Sequence, residues 1–215
     1  MRNIHSKFSD KLLCEFDRFV KIITIPPVAP QKPTPLTSQT SDEFLSIEQK
    51  KNIQGLMRIN HTGEICAQAL YYGQALFAKD QETQTHLILA AKEEHDHLYW
   101  CQERLNDLNT HNSILNPFWY ISSFTLGATA ALFGDNVSYG FVIEVEKQVE
   151  NHLQDHMDQI PKEDKKTHAI LSQMQADEIR HGQNARDAGG IDLPKPIKSI
   201  MTKMSEVMKF LVYRI

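Results

Sequence analysis

The sequence predicts an all-α fold, a four-helix bundle with a long crossover and additional membrane-associating helices. Strand signals are scarce along the 215 residues, while apolar side chains recur at helical spacing in several long segments. Five of the nine Pro residues lie between positions 26 and 35, so the rest of the chain has few helix breakers. Two pairs of segments repeat one polar motif on either side of an uncharged stretch, which predicts two helical hairpins joined by a crossover.

Composition narrows the class of protein. A chain of 215 residues is long enough for one domain with a sizeable core. The net charge of −4 gives no reason to expect nucleic acid as a partner. Cys14, Cys66 and Cys101 are far apart and form no C-x-x-C, which argues against a disulfide scaffold or a zinc ribbon and suits a reducing compartment. No secretory signal is recognisable at the N-terminus.

The chain begins with a predicted amphipathic helix followed by a linker. Residues 8–23 carry apolar side chains at helical spacing within an N-terminal unit of residues 1–25, which we expect to dock on the body or touch a membrane. Residues 26–45 form the linker, because its Pro-rich first part cannot be helical. The polar run at 37–41 continues this break.

The bundle is expected over residues 46–190. Its four core helices are predicted at about 46–79, 81–108, 135–159 and 163–188. The first helix contains Gly55, Gly63 and Gly73, which weaken a helix and therefore indicate close packing or a local distortion.

Two further segments have the composition of membrane-contacting helices. Residues 112–134 contain no Asp, Glu, Lys or Arg and are long enough on paper to span a bilayer. Scattered Asn, Ser and Thr and the break at Pro117 favour instead a helix packed on the domain or dipped into one leaflet. Residues 191–215 contain a basic amphipathic helix with a Met-rich face, for which membrane contact is favoured over plain core packing.

One polar motif occurs twice. Glu94-x-x-His97 and Glu178-x-x-His181 each place a carboxylate and an imidazole on one helix face. A lone Glu precedes each pair by about one helix and a turn. These lone residues are Glu64 and Glu146. A single Glu-x-x-His is usually a solvated pair, but the matched set in apolar surroundings is strong evidence for a site.

Helical azimuths place all four Glu side chains toward the bundle interior. Glu146 shares its face with apolar residues, whereas Glu144 points to the opposite side and Glu150 is a second choice. Buried carboxylates that face each other must protonate or find cations, and two metal ions meet that need. A Glu from each of two helices with Glu-x-x-His from each of the other two is the arrangement of di-iron and di-manganese bundles.

Other His residues near these positions are candidates for a supporting role. His61 lies one turn before Glu64 and is either a group behind the ligands or ordinary packing. His152 lies within two turns of Glu146 and is favoured as a supporting group. His95 is expected at the surface or behind the ligands.

With these residues in place, the chain resembles the demethoxyubiquinone hydroxylase family of ubiquinone biosynthesis. The blocks that carry the resemblance are Leu-Met-Arg-Ile-Asn-His-Thr-Gly-Glu-Ile-Cys-Ala-Gln at 56–68, Glu-Glu-His-Asp-His at 93–97, Val-Glu at 145–146 and Asp-Glu-Ile-Arg-His-Gly at 177–182. One departure is Leu153, where family members often have Tyr after the residue that aligns with His152, so a role for such a Tyr in electron delivery is not expected here.

The resemblance implies a ferritin-like, carboxylate-bridged di-iron monooxygenase that hydroxylates the ring of a polyprenylated methoxy-methyl-benzoquinol. It implies two iron ions per chain and O2 as co-substrate. An external reductant is expected because the sequence has no nucleotide fingerprint. The ligands it implies for one iron are Glu64, Glu94 and His97, and those for the other are Glu146, Glu178 and His181, with Glu94, Glu178 or both bridging.

The partners expected from the resemblance are a polyprenyl quinol, a membrane lipid surface, other ubiquinone-biosynthesis proteins and a second copy of the chain. We expect a peripheral position on the cytoplasmic face of a bacterial cell membrane, ahead of the matrix side of a mitochondrial inner membrane. The alternatives are an iron-storage or ferroxidase protein of ferritin-like fold, another di-metal carboxylate enzyme such as a di-manganese catalase, and a helical membrane adaptor whose Glu and His sets are accidental.

Overall fold

The computed structural model describes residues 8–35 and 44–215, and predictions for residues 1–7 and for the polar run at 37–41 lie outside them. The described residues form seven α-helices and no strand, which confirms the all-α prediction. The helices are α1 (Phe8–Thr24), α2 (Ile47–Phe77), α3 (Gln81–Asp107), α4 (Asn116–Leu132), α5 (Asp135–Gln159), α6 (Lys165–Asp187) and α7 (Lys195–Val212).

Local signals explain where the bundle helices begin and end. Ser46 caps α2 in a capping box with Gln49, each side chain bonding the backbone N–H of the other. Asp164 caps α6 by accepting from the Thr167 N–H at 3.0 Å, and the same carboxylate pairs with buried Arg104 of α3. Gly189 follows α6 at φ +91°, a conformation that favours glycine and ends the helix.

The bundle consists of two hairpins, α2–α3 and α5–α6, with α4 as the crossover between them. Two apolar layers fill its interior. One layer includes Met57, Cys101, Leu153 and Met174, and the other includes Tyr71, Leu87, Val142 and Ala185. On each bundle helix one of these residues lies before the predicted metal ligands and the other after them. The polar cluster is therefore enclosed between two water-excluding layers.

Helix α4 packs closely on α2. A Cβ on Gly127 of α4 would collide with the Leu70 carbonyl oxygen, and one on Gly73 of α2 would collide with the Phe124 carbonyl oxygen. These glycines let the two backbones approach each other. Gly55 lies against the Tyr213 ring, so close packing is confirmed at Gly55 and Gly73. Gly63 is different, because a Cβ there would meet no atom within 4 Å.

Helices α1 and α7 both pack against α4. The Phe19 ring of α1 lies 5.1 Å from the Tyr120 ring of α4, and Met208 of α7 packs in one cluster with Trp119. Among the described residues, no helix combines the length and the apolarity needed to cross a membrane. Residues 25–35 are not helical, as predicted for the first part of the linker.

Candidate metal centre

The structure brings all six predicted ligand residues together at the centre of the bundle. Glu64 comes from α2, Glu146 from α5, and the two Glu-x-x-His motifs from α3 and α6. Each of the six side chains is at least nine-tenths buried. Their ligand atoms form two groups, each within a span of 4.8 Å: Glu64, Glu94, His97 and Glu178; and Glu94, Glu146, Glu178 and His181.

Glu94 and Glu178 belong to both groups because each directs one oxygen to each imidazole. Glu94 places Oε2 at 3.0 Å from His97 Nδ1 and Oε1 at 2.9 Å from His181 Nδ1. Glu178 places Oε1 at 3.2 Å from His97 Nδ1 and Oε2 at 3.4 Å from His181 Nδ1. This geometry fits two bridging carboxylates between two metal positions.

Glu64 and Glu146 each belong to one group. Glu64 Oε2 lies 3.5 Å from His97 Nδ1, and Glu146 Oε1 lies 3.9 Å from His181 Nδ1. They occupy the two ends of the cluster, as expected for terminal ligands.

Unpaired polar atoms within the cluster indicate that it fits a pair of metal ions. Within the described residues, both oxygens of Glu94 and Glu146 and the Nδ1 atoms of His97 and His181 are buried without a hydrogen-bond partner. Native proteins rarely leave buried polar atoms unpaired unless an ion or water satisfies them. A set of four carboxylates and two imidazoles offers hard oxygen and borderline nitrogen donors, which suit iron or manganese.

The charges of the cluster give the same indication. Burial raises the pKa values of Glu64 and Glu146 well above the usual carboxyl range. Burial acts to lower the pKa of His97, but the hydrogen bond to Asp177 and the nearby charge of the cluster carboxylates outweigh it and raise that pKa. A metal-free cluster therefore retains protons that bound metal ions displace.

Two carboxylates that the sequence analysis did not single out lie directly behind the imidazoles. His97 Nε2 donates to Asp177 Oδ2 at 3.3 Å, and His181 Nε2 donates to Glu93 Oε2 at 2.9 Å. Asp177 of α6 bonds the imidazole of α3, and Glu93 of α3 bonds the imidazole of α6, so each helix orients a ring of the other. Such contacts fix the ring orientation and leave Nδ1 free for a metal.

The sequence contained a signal for these two groups. Glu93 and Asp177 are acids that immediately precede Glu94 and Glu178, so the repeated unit is acid-Glu-x-x-His. Arg180 Nη2 donates to both acids at 2.8 Å and joins the two halves. The hydrogen bonds from His181 and Arg180 lower the pKa of Glu93 to about 2, so this acid remains charged.

The remaining polar candidates lie outside the six-residue cluster. His61 Nε2 lies 3.2 Å from Gln102 Oε1, and His152 packs its ring 5.0 Å from that of His156. A role of His61 or His152 behind the ligands stays a prediction. His95 is half-buried and donates to the Val28 carbonyl oxygen, and Glu144 points to α7 and pairs with Lys198.

An apolar cavity of about 130 Å³ adjoins the cluster on the side of α2 and α5. Its wall includes Gly63 and Ala67, on either side of Glu64, and Val145 and Val149, on either side of Glu146. Helices α4 and α7 close it with apolar side chains, namely Trp119, Leu126, Met201, Met204 and Met208. The cavity therefore lies opposite the imidazoles.

Fold and site together define a four-helix-bundle protein with a buried carboxylate–histidine cluster that can hold metal ions. The sequence profile of ubiquinone biosynthesis protein COQ7 matches residues 51–211, and the chain belongs to this family. It is 48% identical over 206 residues to a 3-demethoxyubiquinol 3-hydroxylase of Polynucleobacter necessarius subsp. necessarius, covering 96% of this chain and 98% of the relative.

Two further relatives carry the same name. The protein of Ralstonia pickettii is 48% identical over 216 residues, covering 96% of this chain and 99% of the relative. The protein of Xanthomonas euvesicatoria pv. vesicatoria is 47% identical over 212 residues, covering 99% of this chain and 96% of the relative.

Proposed function

We propose that this protein is an O2-dependent monooxygenase that hydroxylates the ring of a polyprenylated methoxy-methyl-benzoquinol in ubiquinone biosynthesis. The observation that carries the proposal is the pair of buried ligand groups that share Glu94 and Glu178 next to an apolar cavity. The name 3-demethoxyubiquinol 3-hydroxylase, which near-full-length relatives carry, supports the substrate class.

The resident metals in this proposal are two iron ions. Glu64 and His97 would hold one, Glu146 and His181 would hold the other, and Glu94 and Glu178, which belong to both ligand groups, would be shared between them. When bound, the iron pair supplies the reduction of O2 and the transfer of one oxygen atom to the ring.

The protein residues contribute orientation and a dry environment. Asp177 and Glu93 hold the two imidazole rings with Nδ1 directed into the cluster. The apolar layers around Met57 and Tyr71 exclude water, which protects the reaction from side reactions.

The cavity beside Glu64 and Glu146 is the proposed binding position of the quinol ring. Its wall is predominantly apolar, which suits an aromatic ring with an isoprenoid tail. Cys66, Ser123 and Gln148 supply a few polar groups that can orient the ring hydroxyls. Burial raises the pKa of Cys66 to about 11, so its thiol stays protonated at neutral pH.

The reaction balances when a reductant supplies two electrons. A ring C–H becomes C–OH with one oxygen of O2, the other oxygen leaves as water, and two electrons and two protons are consumed. The sequence carries no nucleotide fingerprint, so we propose that the electrons come from a partner, a bound reductant or the quinol itself.

A membrane surface is the proposed source of so apolar a substrate. Exposed apolar side chains occur on α1, α4 and α7, and α4 contacts both of the other helices. They include Phe8, Leu13, Phe16, Phe118, Ile121, Val207 and Phe210. We place the protein peripherally on the cytoplasmic face of a bacterial cell membrane, where other ubiquinone-biosynthesis proteins or a second copy of the chain are partners to test.

Two measurements test the proposal. Purified protein is expected to contain about two iron ions per chain by metal analysis, and a protein that is active without metal would contradict the di-iron assignment. A host that lacks this protein is expected to accumulate the demethoxy quinone and to recover on expression of the wild-type chain. A normal quinone profile in that host would contradict the substrate assignment.

A further inference from the structure

The Pro-rich segment forms an ordered strap, residues 28–35, along the outside of α3. The backbone N–H groups of Gln31 and Lys32 donate to the two oxygens of Asp96 at 2.8 and 3.0 Å. The indole N–H of Trp100 donates to the Lys32 carbonyl oxygen at 3.2 Å, and the Thr34 hydroxyl donates to Glu103. The backbone of Lys32 is therefore fixed on both sides.

From this fixed position, the Lys32 side chain reaches across to α6. Its Nζ lies 3.2 Å from Asp177 Oδ2 and 3.3 Å from Asp177 Oδ1, and Oδ2 also accepts from His97 Nε2 at 3.3 Å. Gln173 Nε2 also donates to this oxygen, and Arg180 donates to Oδ1 of the same carboxylate. A single carboxylate oxygen is thus shared by an ammonium, an amide and the imidazole of a proposed metal ligand.

The other half of the site differs. Glu93 Oε2 accepts from His181 Nε2 at 2.9 Å and from Arg180 at 2.8 Å. Arg180 contacts both acids, so Lys32 is the cation that distinguishes the Asp177 side from the Glu93 side. On both sides the acceptor oxygen also accepts from a cation, but only Asp177 of these two acids pairs with Lys32 in addition to Arg180. Its imidazole–carboxylate distance is the longer of the two, 3.3 Å against 2.9 Å.

We propose that Lys32 is a positioning residue that makes the two metal positions unequal, by sharing the acceptor oxygen of Asp177 with His97. This inference rests on the proposed metal centre. A cation on Asp177 weakens its hydrogen bond from His97 and makes the imidazole a less basic ligand. Glu64 and His97 would therefore hold a metal ion less tightly than they would without Lys32.

Removing the charge of Lys32 is expected to tighten metal binding, whereas structural damage to the site would weaken it. Lys32→Met keeps the length and apolar stem of the side chain but frees Asp177 to bond His97 more strongly. The expected result is tighter binding at one of the two sites by roughly fivefold, the upper range for a half-exposed ion pair. The second site is expected to keep its affinity, and Lys32→Arg to behave as the wild type. Lys51→Met, at an exposed position near the start of α2, is the matched control.

The test is a Co²⁺ titration of the metal-free full-length chain, followed by absorption and calorimetry so that two sites are resolved. Tighter binding at one site in Lys32→Met, with wild-type behaviour in Lys32→Arg and Lys51→Met, supports the inference. Unchanged affinities, weaker binding at either site, or the same change in Lys32→Arg overturns it. A wild-type chain that does not bind two Co²⁺ ions overturns the metal centre itself, and with it this inference.

Discussion

At the scale of single residues, the proposed metal centre depends on which carboxylates lie in one ligand group and which lie in both. Glu178 directs an oxygen to each imidazole, whereas Glu64 contacts only the His97 group. The two residues are equally buried and chemically identical, so substitutions at them compare position alone.

We therefore expect Glu178→Ala to lose both iron ions and Glu64→Ala to retain one, because only the first removes a ligand common to both positions. Metal analysis of the purified variants measures this directly. Glu150→Ala, at a partly exposed position outside the cluster, is the control and is expected to retain two. Equal loss of iron in the Glu178 and Glu64 variants would contradict the bridging assignment.

His156 gives a residue-scale prediction about pH. Burial, with a smaller contribution from Lys209, lowers its pKa to about 4, and its Nδ1 donates to Asn60 Oδ1 at 2.9 Å. The folded protein therefore keeps this ring neutral while the unfolded chain protonates it below about pH 6.5. The contribution of the neutral His156 ring to the free energy of unfolding is therefore complete above pH 6.5 and is lost as the pH falls toward 4.

The shift corresponds to about 3 kcal/mol of folding free energy lost between pH 6.5 and 4. His156→Gln, which can keep a bond to Asn60, is expected to unfold with a weaker pH dependence over that window. Denaturant unfolding at several pH values measures the difference. Burial also lowers the pKa values of His61 and His152, so the variant is expected to retain part of the slope of unfolding free energy against pH. A slope identical to that of the wild type would contradict a buried neutral His156.

At the scale of helices, the glycines of α2 have separate structural roles. Gly73 and Gly127 allow α2 and α4 to pack closely, so a side chain at either is expected to destabilise the crossover. Gly63 instead lines the apolar cavity with open space in front of it. Its absence of a side chain keeps room beside Glu64 rather than permitting helix contact.

Filling that space is expected to separate substrate binding from folding. Gly63→Leu projects a side chain into the cavity and is expected to lower quinol hydroxylation by roughly tenfold or more. Its iron content and thermal stability are expected to be maintained, because replacing a helical glycine stabilises a helix by about 1 kcal/mol. Gly63→Ala, which adds only a Cβ, is the control and is expected to remain active. Full activity of Gly63→Leu would place the substrate elsewhere.

At the scale of the whole molecule, the carboxylate–histidine cluster adjoins a cavity whose other wall is formed by α4 and α7, two helices that expose apolar side chains. Helix α4 packs against both α1 and α7, and all three expose large apolar side chains. The cavity is lined by α4 and α7 on one side and by the bundle helices on the other. A substrate that leaves a lipid surface would reach the cluster over a short path.

We expect Val207→Asp with Phe210→Asp to reduce binding to vesicles that contain anionic lipid, because both side chains are exposed on basic helix α7. Vesicle sedimentation measures the bound fraction, and a severalfold decrease is expected. Leu89→Asp changes a similarly exposed apolar residue on α3 and is the control. Equal binding of the α7 variant and the wild type would argue against this surface as the membrane contact.

The amino-acid sequence by itself determined the helices, the six candidate ligands and the family. Helical periodicity, the cap at Ser46 and the glycines after α6 are local signals, so the helix bounds could be predicted to within a few residues. The interior direction of Glu64, Glu94, Glu146 and Glu178 followed from azimuth alone. Their ligand roles stay predictions that the burial and grouping of the side chains support.

Only the tertiary structure decided which groups meet between helices. His97 of α3 bonds Asp177 of α6, and His181 of α6 bonds Glu93 of α3. These reciprocal hydrogen bonds depend on the rotation and axial offset of α3 against α6. The contact of Lys32 with Asp177 joins positions that are 145 residues apart in sequence. A helix repeats every 3.6 residues and is encoded locally, whereas contacts between helices are set by the packing of the whole core, which no single segment specifies.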